Sequence, residues 1–203
     1  MARRLGDVEL VAVDSMQVYR GMDIGTAKPT AAERAEVPHH LLDLADPTED
    51  FSVARFQAAA EAAIAGIEAR GHRALLVGGT GLYLQAVVDR LRLPGQWPAV
   101  RAGLEEEVDR EPAAVGALHR RLAESDPVAA ARIEPGNARR IVRALEVTLG
   151  SGQPFSSFGP GIDAYPSTTR FRLAGVWLPR AVVNQRIADR YQEQLAAGFL
   201  DEV

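Results

Sequence analysis

Two short apolar runs, "VELVAV" at 8–13 and "ALLV" at 74–77, constrain the fold more than any other feature. Each is nearly continuously apolar over a strand's length, the pattern of a strand buried on both faces in a parallel sheet. A parallel pair cannot be joined by a tight turn and needs a crossover. That crossover is legible. Val53, Phe56, Ala60, Ile64 and Ile67 recur at spacings of three and four, with Ser52 placed to cap the start and Gly71 to end it. Strand, helix, strand is the α/β rhythm. After the second run, "GGTGLYLQAVVDRL" turns on glycines into a further helix carrying Leu82, Val87, Val88 and Leu91.

Elsewhere the pattern changes. Residues 14–50 are irregular, with prolines at 29, 38 and 47, and a connection of that length is functional or partly helical. "RLPGQWP" at 92–98 breaks the chain and marks a subdomain boundary. Residues 99–150 hold no strand-like run and read as four helices. A Gly/Pro/Ser-rich connection at 150–169 leads to a third strand, "RFRLAGVWL" at 170–178. An amphipathic helix then follows Pro179, carries Val183, Ile187, Tyr191 and Leu195, and ends near Gly198. The expectation is an α/β core of residues 1–95 and 165–203 with an all-helical insertion at 96–164.

Charge and composition narrow the function. A net charge of −4 argues against indiscriminate nucleic-acid binding and leaves room for a local basic face. With no cysteine, disulfides, thiolate nucleophiles and cysteine-bound zinc are excluded. No apolar run reaches the roughly 18 residues of a membrane helix, and the N-terminus lacks the apolar core of a signal peptide, so a cytoplasmic protein is expected. The four histidines, 39, 40, 72 and 119, lack ligand spacing, and no metal site is assigned to them.

In open α/β sheets, ligands collect beyond the carboxyl ends of the strands. One end here delivers Asp14, Ser15 and Gln17; the other delivers Gly78, Gly79 and Thr80. If the two strands are neighbours, Asp14 and Thr80 share a crevice, where an acid beside a hydroxyl can deprotonate an amine or alcohol. Asp14 reads equally as a loop cap, and the glycine pair equally as a tight turn. Between His119 and Arg143 stand six arginines (120, 121, 132, 139, 140, 143) against three acids (124, 126, 134). Arg139 and Arg143 share a helix face with Arg140 beside them. The face either contacts phosphates or is simply solvated, with Glu146 pairing Arg143. Arg186 and Arg190 repeat the spacing, as surface residues or over a bound phosphate.

The stretches "DSMQVYRGMDIGTAKP", "VPHHLLDLADP", "LLVGGTGLYLQAVVDRL", "DPVAAARIEPGNARRIVRALEV" and "QRIADRYQEQLAAGFLDEV" together resemble the tRNA dimethylallyltransferase (IPP transferase) family, over essentially the whole chain. The resemblance implies a nucleotide-binding, P-loop-kinase-like fold with a helical insertion. It implies transfer of a dimethylallyl group from dimethylallyl diphosphate to N6 of the adenosine 3′ of the anticodon, assisted by Mg²⁺, by a monomer that grips the anticodon stem-loop of tRNA. By the same resemblance Asp14 is the general base and Thr80 the hydroxyl at the reaction centre. Asp14, Ser15, Met16 and Gln17 meet the flipped-out adenosine, and Arg139, Arg140, Ile141, Val142 and Arg143 form the RNA-contacting helix. Arg186 and Arg190 face the diphosphate, and Lys28 has a phosphate or loop-anchoring role. One departure stands out: no G-x-x-x-x-G-K-[ST] loop is present, nor the first, central strand that precedes it. The expectation is a truncated or mis-started chain, short at the C-terminus as well, weakly active or inactive, with two inner strands left without a neighbour. The alternatives are a non-catalytic RNA-binding remnant and a small-molecule kinase-like phosphotransferase.

Overall fold

β1 (Val8–Val13) is the middle strand of a three-stranded parallel sheet, flanked by β2 (His39–His40) and β3 (Arg73–Gly78). The computed structural model describes residues 2–111, 113–159 and 170–203. β1 and β3 pair along their whole length, from Val8 opposite Arg73 to Val13 opposite Gly78. Val11 and Val13 face α3 (Val53–Ala69), whose buried residues Phe56, Ala60, Ile64 and Ile67 form the core with Tyr83 and Val87 of α4 (Gly81–Val88). The Ser52 side chain accepts from the Arg55 N–H and caps α3, and Gly71 ends it at φ +77°, a conformation only glycine adopts without strain.

α1 (Ala2–Leu5) precedes β1, and the long irregular segment after it contains α2 (Ala31–Glu36), opened by a reciprocal capping box between Thr30 and Glu33. β2 was too short to announce itself by alternation. It is held by Leu10 N–H donating to the Pro38 carbonyl, 2.9 Å.

One expectation is corrected. Residues 170–178 form no strand, and Leu173, Val176 and Trp177 stand exposed while Phe171 alone packs on the core. Apolar alternation makes a strand only where a neighbour takes up the backbone groups, and none of the three strands pairs with this segment. Four helices follow α4 in the chain, α5 (Pro98–Arg110), α6 (Ala114–Ser125), α7 (Pro127–Arg132) and α8 (Ala138–Ser151), and α9 (Arg180–Ala196) and α10 (Phe199–Glu202) close it. The apolar face of α9 (Val183, Ile187, Tyr191 and Leu195) is exposed, and the residue it buries is Gln194. The expected connection at 150–169 lies outside the described residues from 160 onward.

Two compact units result, Met1–Arg90 with Thr168–Val203, and Leu91–Ser167. Among its described residues the second holds helices and no strand: α5 (Pro98–Arg110), α6 (Ala114–Ser125), α7 (Pro127–Arg132), α8 (Ala138–Ser151) and a short 3₁₀ turn at Phe155–Phe158. Leu104, Leu118, Leu122, Ile141 and Leu145 make its core. Asp126, itself buried, caps α7 through Ala129 N–H and ties down the 3₁₀ turn through Ser156. Among the described residues no helix is long and apolar enough to cross a membrane.

Candidate active site

The β1–β3 register brings the two predicted strand ends together. A Cβ on Gly78 would lie 2.0 Å from the Val13 carbonyl oxygen, so only glycine lets the strands close here. Beyond that contact, Thr80 N–H donates to Val13 O (3.3 Å) and Ser15 N–H donates to Thr80 Oγ1 (3.0 Å). Thr80 stands at the N-cap of α4 but does not cap it; its hydroxyl is turned to the end of β1 and donates to Ser15 Oγ at 3.4 Å. The first-turn N–H groups of α4 are left without a side-chain cap, an arrangement that favours a negative group.

Asp14 uses one carboxylate oxygen as a local cap. Oδ1 accepts from Met16 N–H (2.8 Å) and Gln17 N–H (3.2 Å), and Oδ2 makes no hydrogen bond among the described residues. The two readings of Asp14 are therefore compatible: one oxygen fixes the turn and the other remains for a ligand. Burial, and then the charges of Tyr19 and Asp14, hold the Tyr83 phenol above its ordinary range, so it stays protonated. Met16 is exposed at the rim.

Gln17 is engaged inward. Its Nε2 donates to the carbonyls of Thr26 (3.0 Å) and Ala27 (3.3 Å), tying the strand end to the 22–28 loop. Lys28 anchors the same loop: its buried Nζ donates to Tyr19 O, Asp23 Oδ1 and Asp43 Oδ1 within 2.6–2.7 Å. Asp43 also accepts from Arg34 at 2.7 Å; these two cations hold its carboxyl below the usual range although burial pulls the other way. From the far end of the chain, the Glu202 carboxylate accepts from Asp23, Ile24 and Gly25 N–H at 2.7, 2.7 and 2.9 Å. Gln194 donates to the Ile24 and Gly25 carbonyls. The sequence reading missed Gln194 and Glu202. Their partners lie some 170 residues away, and the one local signal is that Gln194 continues the Arg186, Arg190 spacing along α9.

Arg186 and Arg190 are exposed, and among the described residues neither engages a carboxylate. Arg190 sits one turn before Gln194, so the arginine row leads toward the 22–28 loop. In the helical unit, Arg139 and Arg140 are exposed on the first turn of α8. The neighbouring candidates fall differently. Ile141 and Val142 are buried in the core (0% and 4% exposed), so neither side chain is available to an RNA surface. Arg143 is a structural pin: it donates to the Pro94 and Gly95 carbonyls and pairs with buried Glu146 at 2.9 Å.

The histidines serve the framework. His40 and His72 both reach Glu9, His39 contacts Val37 O and His119 contacts Ala130 O and Ile133 O. No group of three carboxylate or imidazole side chains that could hold a metal occurs among the described residues.

A family model described as IPP transferase matches residues 17–203. The tRNA dimethylallyltransferase of Roseiflexus castenholzii is 52% identical over 98% of this chain and 64% of its own length. That of Streptomyces coelicolor is 50% identical over 100% and 63%. Among solved structures, the full-length tRNA isopentenylpyrophosphate transferase of Bacillus halodurans is 43% identical with a TM-score of 0.60, over 99% of this chain and 61% of that one. A eukaryotic dimethylallyltransferase acting on tRNA is 28% identical with a TM-score of 0.76, over 100% and 50%. The chain spans about six-tenths of the length of the curated relatives it matches.

Proposed function

The chain belongs to the IPP transferase family, and on that premise we propose that it carries the acceptor side of dimethylallyl transfer to tRNA. The carrying observation is the meeting of Asp14 and Thr80 at adjacent strand ends, joined by the Ser15 N–H to Thr80 Oγ1 bond. In this reading the flipped-out adenosine next to the anticodon enters between them. Its N6 amine donates to Asp14 Oδ2, and the Thr80 hydroxyl orients it. N6 attacks C1 of dimethylallyl diphosphate, the C1–O bond breaks, diphosphate leaves with the electron pair, and Asp14 takes the proton that N6 sheds. Ser15 and Met16 line the base, and Gln17 holds the turn that presents them. Arg186 and Arg190 supply positive charge for the diphosphate. Residues 96–164 act as the RNA-gripping insertion on the core of 1–95 and 165–203, and exposed Arg139 and Arg140 contact stem phosphates.

Among the described residues no cluster of carboxylates or imidazoles forms a protein cage for the Mg²⁺ implied by the resemblance. Mg²⁺ takes one or two carboxylates plus substrate phosphates, and Asp14, the acid at the end of β1, is assigned to the base.

The test is a pair of assays on a minimal anticodon stem-loop: gel-shift binding, and transfer of labelled dimethylallyl from its diphosphate. Asp14→Asn should lower transfer by about 10²–10⁴-fold, the range for losing a general base, while stem-loop binding changes little. Full transfer by that variant refutes the base; binding without any transfer by the parent chain makes it an RNA-binding protein.

A further inference from the structure

Resting on that acceptor reading, we propose that Glu202 is a positioning residue for the stretch Asp14–Gln17, acting through the 22–28 loop. Three consecutive backbone N–H groups, those of Asp23, Ile24 and Gly25, converge on its two carboxylate oxygens. Such a run of N–H groups is a nest, which selects a negative group. The three bonds hold the Glu202 carboxyl below its usual range, the Ile24 bond contributing most. Two further contacts make this a built dock. Gln194 donates to the Ile24 and Gly25 carbonyls. The Phe199 ring lies against Gly25, where a Cβ would come within 2.5 Å of it, so the loop has given up a side chain to admit the ring. The next link runs inward. Thr26 and Ala27, which follow the nest, offer their carbonyls to the Gln17 amide, and Gln17 N–H is one of the two donors on Asp14 Oδ1. A continuous hydrogen-bonded path thus joins α10 to the carboxylate proposed to meet N6. Release of the nest removes one anchor of the loop, with Lys28 and Gln194 still holding it, and so loosens Gln17 and the turn that aims Asp14, while the β1–β3 ladder has its own bonds and stays.

Glu202→Gln is the direct test, because one oxygen becomes an NH₂ facing N–H donors. Glu202→Asp keeps the charge and should rescue partly, and Asp201→Asn is the matched-charge control. Amide hydrogen exchange by NMR on the full chain should show Asp23, Ile24 and Gly25 exchanging about tenfold faster in Glu202→Gln. Met16 and Gln17 should speed up with them, and the β1 and β3 amides should not change. Unchanged exchange at Met16 and Gln17 overturns the proposal, as does acceleration spread evenly over the sheet. A second arm compares stem-loops bearing adenosine or purine riboside, which lacks the N6 amine, at the target position. The parent and the control should prefer adenosine, and Glu202→Gln should lose that preference; a variant that keeps it overturns positioning. A parent chain that binds neither RNA refutes the acceptor reading instead, and the exchange result still decides whether Glu202 positions the turn.

Discussion

Replacing Glu9 by glutamine should cost the sheet about 3 kcal/mol without touching the site. Glu9 is on β1, its side chain 4% exposed, and three neighbours converge on its carboxylate. Arg70 at the end of α3 grips both oxygens at 3.0 and 2.7 Å, His40 on β2 approaches Oε2 at 2.6 Å, and His72 before β3 approaches Oε1 at 2.9 Å. The carboxyl is lowered from its ordinary 4.5 to about 2, first by the Arg70 hydrogen bonds against the opposing pull of burial, then by the two histidines. At about 1.4 kcal/mol per tenfold change in proton affinity, that gap is worth about 3 kcal/mol. Because the folded-state value is depressed, the contribution is fully present above pH 4.5 and is lost as pH falls through about 2. Glutamine cannot take Arg70 on both oxygens, so the variant should lose about this much at pH 7. For a chain of this size that is a melting decrease of about 6–12 °C. Its stability should also fall less steeply than the parent's between pH 4.5 and 2. The measurement is urea unfolding read on β1 and β3 amides, which follow this unit separately from the helical one. A loss under about 1 kcal/mol, or an equally steep acid limb in the variant, refutes the reasoning. Since Glu9 lies five residues before Asp14, about 16 Å along an extended strand, the folded variant should bind a stem-loop like the parent.

Gly78→Ala should cost about 1–3 kcal/mol by overpacking the Val13 carbonyl, and it should lower transfer more than stem-loop binding by parting Ser15 from Thr80; thermal unfolding beside the two RNA assays checks this. Arg143→Ala should destabilise the helical unit by about 3 kcal/mol, because Glu146, 1% exposed, loses its cation. Arg139→Ala and Arg140→Ala should instead leave stability within about 0.5 kcal/mol and each reduce the salt slope of RNA binding by about 1; a salt titration separates the two classes. Lys28→Met should cost about 2 kcal/mol by leaving Asp23 and Asp43 short of their shared ammonium, and a variant as stable as the parent in urea would show that the loop does not depend on it.

Elements whose stabilisation is local are legible in the residues alone. α3 and its cap, the strand read at 74–77, the helices read within 99–150 and the α/β order are all written in spacing and capping residues, because helix periodicity and caps act within a few residues. Asp14 and Thr80 are likewise legible as residues at strand ends. Whether those two ends lie side by side was conditional until the β1–β3 register placed them together, with Ser15 N–H, next to Asp14, donating to Thr80 Oγ1. Tertiary structure alone decided the rest. It sorted one arginine cluster into an exposed pair, Arg139 and Arg140, and a pin, Arg143, because burial depends on what packs against each turn. It withheld strand structure from 170–178, since pairing belongs to a partner and not to a segment. And it joined Glu202 to a loop some 177 residues earlier in the chain, a contact that no local pattern encodes.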